Sequence, residues 1–139
     1  MITYVDQAAL LVAVEIEPEY GQIALKAGRL GAAEDGYWAP QWEGDEGAVS
    51  GSGCILVATR PDSDGVVDVA VFRGRPHFDG DWARVHTARV VVEEGGGLAV
   101  AMTVSDEETP VPVGAGAYGV EVWVRPPALP EAVTFVLID

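Results

Sequence analysis

Apolar and polar residues alternate with a period of two along most of this chain. Leu10, Val12, Val14 and Ile16 fall on one face of the first long run, while Glu15 and Glu17 fall on the other. Ile23 and Leu25 alternate with Ala24 and Lys26, and Val67, Val69 and Val71 alternate with Asp68, Ala70 and Phe72. Leu98, Val100, Met102 and Val104 alternate with Ala99, Ala101 and Thr103. Tyr118, Val120, Val122 and Val124 alternate with Gly119, Glu121, Trp123 and Arg125. Successive strand side chains point to opposite faces, so the pattern predicts half-buried antiparallel strands. Valine dominates, as a pleated surface favours. No segment sustains a helical pattern. Tyr4 to Val14 is the one contender, through Ala8, Ala9, Leu10 and Leu11, yet the polar positions that follow fit period two.

Breakers separate these runs. Pro18 to Gly21 follows the first, and Pro61-Asp62-Ser63-Asp64-Gly65 is a strong turn with a fixed φ, Asx side chains and a glycine. Gly95-Gly96-Gly97 reads as a hairpin tip between Arg89 to Glu93 and Leu98 to Val104. Pro110 to Gly116 precedes the Tyr118 strand, Pro126-Pro127 ends it, and a last strand runs from Val133 to Ile138. The expectation is an all-β fold, an antiparallel β-sandwich or flattened barrel of about eight or nine strands with little helix. At 139 residues the chain reads as a single domain, 1–139.

Charge changes the picture most. The chain has 22 Asp plus Glu against 8 Lys plus Arg, a formal net of −14. Such an excess serves solubility or attraction to a basic partner. With 49% hydrophobic residues there is ample core, so acidity does not mean disorder. Nucleic acid and anionic membrane are poor partners for so few clustered cations. Cys54 is the only cysteine, which excludes an intrachain disulfide and favours a reducing compartment. Leu10 to Val14 is too short to span a bilayer and lacks a basic n-region, so a cytoplasmic location is expected.

Two long irregular stretches are candidates for function, which loops on a rigid scaffold often carry. The first, Glu34 to Gly47, sets Tyr37, Trp38 and Trp42 among Glu34, Asp35, Glu43, Asp45 and Glu46. Rigid rings with steering carboxylates suit a protein interface. The same residues could instead cover the open end of the sandwich. The second, Gly74 to Trp82, offers His77, Asp79, Asp81 and Trp82, with His86 beyond. No zinc-ligand spacing is present, so a polar turn is the plainer reading. Asp62 to Gly65 begins like a calcium loop and lacks the later acidic ligand. Gly51-Ser52-Gly53 and Gly95-Gly96-Gly97 lack the helix and lysine of a phosphate loop. Cys54, in the apolar stretch Ser52 to Thr59, reads as a buried small hydrophobe. Ser105 to Glu108 reads as a solvated acidic turn. No cofactor or metal motif appears.

Three stretches, Tyr20-Gly21-Gln22-Ile23, Tyr37 to Trp42 and Gly116 to Pro126, together resemble the ComJ family of competence proteins. The first is similar to that family's Tyr-x-Gln strand, the second to its tyrosine followed by tryptophan, and the third to a Gly-x-Tyr strand ending in Trp and Pro. The anchors are scattered over about Tyr20 to Pro126. Bacterial toxin-immunity proteins share this size, acidity and β-content. The resemblance implies a small acidic β-sandwich that inhibits a partner nuclease.

The sequence thus reads as a non-enzymatic binding protein that neutralises a basic partner, a nuclease or toxin. Contact is expected at Tyr37, Trp38, Trp42, Glu43, Asp45 and Glu46, then at Asp79, Asp81 and Trp82. A small-ligand or carbohydrate module using Trp38, Trp42 or Trp82 as a stacking platform is the alternative. An enzyme using His77 or His86 with Asp79 is a third reading. Open sandwich edges make a homodimer plausible.

Overall fold

A computed structural model describes residues 8–18, 21–28, 43–45, 47–51, 53–61, 64–102 and 107–138. Among them eleven strands form two packed sheets. Five belong to one sheet: β1 (Ala9–Ile16), β6 (Val67–Arg73), β7 (Ala83–Val92), β10 (Gly116–Arg125) and β11 (Ala132–Ile138), in the order β1-β6-β11-β10-β7. The other six are β2 (Gln22–Gly28), β3 (Glu43–Asp45), β4 (Ala48–Gly51), β5 (Cys54–Ala58), β8 (Gly97–Ala101) and β9 (Glu108–Val111), in the order β3-β4-β5-β2-β8-β9. Every pairing is antiparallel except that of β11 with β6. β3, β4 and β9 are too short to show a period, which is why the alternation predicts fewer strands. β9 carries Pro110 on a sheet edge, where a missing N–H costs no ladder bond.

The alternating valines supply the core. Val67, Val69, Val71, Val120, Val122, Val124 and Phe135 of the five-stranded sheet meet Ile23, Leu25, Ile55, Val57, Leu98 and Val100 of the other. The first run is the exception. A bulge between Leu10 and Val12 shifts the register, so Leu10 turns to the outer face opposite Phe72 and is 55% exposed. Leu11 and Val12 pack against the core in its place.

Two further expectations change. Gly95 to Gly97 is not a hairpin tip, because β7 pairs with β10 and β8 with β2. The turn, closed by Gly96 N–H donating to the Glu93 carbonyl, carries the chain from one sheet to the other. Ser105 and Asp106 lie outside the described residues, and Glu108 is not solvated: it is in β9 and forms an ion pair with the buried Lys26.

Half-burial also fails for the middle strands. β2, β8 and β11 are buried on both faces. On the six-stranded sheet the outward side chains of the middle strands include the small or apolar Ala24, Cys54, Leu56 and Ala101, and the one buried cation among them, Lys26, is neutralised by Glu108. On β11 the outward Thr134 and Val136 are 4% and 0% exposed. The segment from Gly74 to Trp82, between β6 and β7, accounts for this.

Candidate functional site

β6 and β7 run parallel with β11 and β10 between them, so the nine residues from Gly74 to Trp82 must cross the outer face of the sheet. Gly74, at φ 82°, makes the turn that leaves β6, in a region other residues avoid. Its N–H donates to the carbonyl of Leu137. The rest of the segment is a strap, fastened at three points to the outward side chains of β10. Those are Glu121, Trp123 and Arg125, the polar register of the alternating run.

Glu121 anchors the first point. Arg75 Nε donates to its Oε1 at 2.9 Å, and Arg75 Nη2 binds its Oε2. Arg84 Nη1 donates to Oε2 at 3.2 Å and Trp123 Nε1 to Oε1 at 3.0 Å. The carboxylate is 8% exposed while both guanidinium groups stand half in water. Hydrogen bonding from Arg75, more than the opposing cost of burial, holds the Glu121 carboxyl below its ordinary value, with Trp123 and Arg84 adding to the effect. The same bond raises the Arg75 guanidinium.

The second and third points are aromatic. Phe78 stacks on Trp123, and Trp82 meets Phe78 at 5.3 Å and 52°. Arg125 lies over the Trp82 ring at 5.2 Å and Arg75 over Trp123 at 6.0 Å. Arg73, at the end of β6, lies over Tyr118 at 5.7 Å. The arginines of this sheet are therefore largely engaged internally, and with 22 Asp plus Glu against 8 Lys plus Arg the carboxylates dominate the field outside.

The acids gather in two places. A cleft of about 670 Å³ beside the edge strand β1 is lined by Glu15, Glu17, Glu107 and Glu108. The strap presents Asp79 and Asp81, both exposed, where Asp79 Oδ1 accepts from Asp81 N–H at 3.2 Å and the Asp79 carbonyl from Trp82 N–H at 3.3 Å. That tight turn fixes the carboxylates relative to Trp82.

Of the residues singled out in sequence, Asp79 and Asp81 are exposed and Trp82 is half-buried on the strap. Trp82 carries Arg125 on its ring, so it is not a bare stacking platform. Glu43 and Asp45 belong to the edge strand β3, which lies beside β7. Gly47, in the β3–β4 turn, sits against Val85, three residues along from Trp82. The β3–β4 turn and the strap therefore flank the same stretch of β7, roughly 10 Å apart along the strand. Tyr37, Trp38, Trp42 and Glu46 lie outside the described residues. His77 is exposed on the strap, whereas His86 bonds Ser50 of the opposite sheet at 3.0 Å. Among the described residues no three His, Cys, Asp or Glu converge as a metal site would require. No helix among them is long and apolar enough to cross a membrane. The sequence reading missed Arg75, Phe78, Glu121 and Trp123. A tryptophan and a glutamate in the solvent register of a strand are the signal that something covers that face.

No family model matches the sequence, and no curated protein matches it either. A solved structure is similar in fold: the crystal structure of ComJ from Bacillus subtilis, inhibitor of the DNA-degrading activity of NucA. The two chains are 13% identical, with a TM-score of 0.67 over 95% of this chain and 98% of that one. This chain is similar to ComJ in its sandwich fold, along nearly its whole length.

Proposed function

We propose that this chain is a small acidic binding protein that blocks a basic protein partner, most plainly a nuclease. The observation that carries this reading is the fold shared end to end with ComJ, an inhibitor of NucA. Physical chemistry supports it. A nuclease must hold phosphate, so its active surface is basic, and a domain of net −14 is steered toward such a surface. A strap pinned by Glu121 and Trp123 presents Asp79, Asp81 and Trp82 with little ordering cost on binding. The contact surface in this reading joins those three to Glu43 and Asp45 across β7, and to Tyr37, Trp38, Trp42 and Glu46. The chain acts in the cytoplasm, without a cofactor and without catalysis of its own.

The test is degradation of DNA by NucA with the purified chain added in increasing ratio. Stoichiometric inhibition is expected, weakening as salt rises and reduced in Asp79→Asn/Asp81→Asn. Unchanged degradation by NucA and by other basic nucleases, with no complex on gel filtration at low salt, would end the proposal.

A further inference from the structure

Beside the strap the outer face of the sheet holds a groove of about 480 Å³, within the size range of ligand sites. Cross-strand register builds it in rows. Arg125, Ala132, Asp68 and Glu15 are successive partners across β10, β11, β6 and β1. The next row is Trp123, Thr134, Ala70 and Ala13. Small side chains thus form the floor, with Trp82 and Phe72 also lining the groove.

Two features of this groove are unexplained by folding alone. Glu15 and Asp68 stand directly opposite each other on an antiparallel pair, both exposed, and neither has an ion pair among the described residues. Like charges so placed repel. Arg125 is drawn to the Trp82 ring, and Arg60 is held by Glu131 at 3.6 Å and by the Val66 carbonyl. The second feature is Thr134, 4% exposed and lining the groove, whose hydroxyl has no hydrogen-bond partner among the described residues. The only side-chain nitrogen or oxygen sealed from solvent without a partner among them is Arg60 Nε, so the Thr134 hydroxyl is reached from the groove.

We infer that this groove receives an arginine side chain presented by a protein partner. The aliphatic stem lies on Ala13 and Ala70 beside Phe72 and Trp82. The guanidinium, planar and rich in donors, bridges Glu15 and Asp68, and an N–H of the incoming segment donates to Thr134. Arginine suits a site that offers the Phe72 ring and two carboxylates together, whereas an aliphatic ligand would leave both carboxylates unanswered. The inference extends the proposed function by naming one anchor of the basic partner, and it rests on that reading only for the partner's identity.

The probe is Nα-acetyl-arginine amide, titrated into the full chain and followed by amide NMR shifts at Ala70 and Thr134. Saturable shifts are expected. Binding should weaken about tenfold with the neutral Nα-acetyl-norleucine amide and about tenfold in Asp68→Asn, a surface change that leaves thermal unfolding nearly unmoved. Thr134→Val should weaken it severalfold. Equal shifts from both probes, or none from either, would overturn the inference whatever the nuclease assay shows. Arginine-selective shifts in a chain that inhibits no nuclease would sustain the groove and remove the nuclease reading.

Discussion

Phe78 lies flat on Trp123, with ring centroids 4.2 Å apart and planes 12° from parallel. One ring belongs to a nine-residue crossover and the other to a central strand. Their contact, with the Arg75–Glu121 pair, turns a loop into a lid on the sheet's outer face. A double-mutant cycle with Phe78→Ala and Trp123→Ala should give a coupling of about 1 kcal/mol in urea unfolding, as stacked aromatic pairs do. Additive effects would mean the rings contribute area alone.

Glu121 links the strap to pH. Its carboxyl is lowered in the folded state, so its stabilisation is complete above its ordinary 4.5 and is lost as pH falls below that toward the folded value. The stability of the parent should decline over that range, and Glu121→Gln should flatten part of the decline. Urea midpoints from pH 7 down to pH 3 measure both. At pH 7, Glu121→Ala should cost about 2–3 kcal/mol, the low side for a buried pair because both guanidinium groups are half in water.

Lys26 and Glu108 form a buried ion pair on the outer face of the six-stranded sheet. Lys26→Met alone should destabilise by about 3 kcal/mol, since it removes the ammonium from a desolvated carboxylate. The double variant Lys26→Met/Glu108→Leu should return to within about 1 kcal/mol of the parent. A double variant as weak as the single would show that the pair is needed for more than mutual neutralisation.

Phe135 is fully buried on β11, between β6 and β10. Phe135→Ala should cost about 3–5 kcal/mol, a large share of the roughly 5–15 kcal/mol that holds an ordinary domain folded. Cys54, buried beside Leu56 and Ala101, should react with a thiol reagent only under unfolding conditions. Circular dichroism and a thiol titration check the two.

The inward faces were legible because valine at every second position has one physical meaning, and Val67 to Val71 and Tyr118 to Val124 fall where that meaning puts them. Leu10 escaped because a bulge adds one residue to one strand without changing composition. The Gly95–Gly97 connection escaped because a glycine turn fits equally well between paired strands or between sheets. The site was half legible. Asp79, Asp81 and Trp82 stood out as a polar loop, but Thr134, Asp68 and Glu15 become neighbours only through pairing between strands far apart in sequence, which no local pattern encodes.

The placement of β11 bears on synthesis. It is made after the ten other described strands, yet it fills the seam between β6 and β10. Until it arrives, the nascent protein presents two unpaired valine-rich edges, each a template for a neighbouring chain. High expression should therefore test the acidic surface first as a guard against misassembly, well before any partner is met.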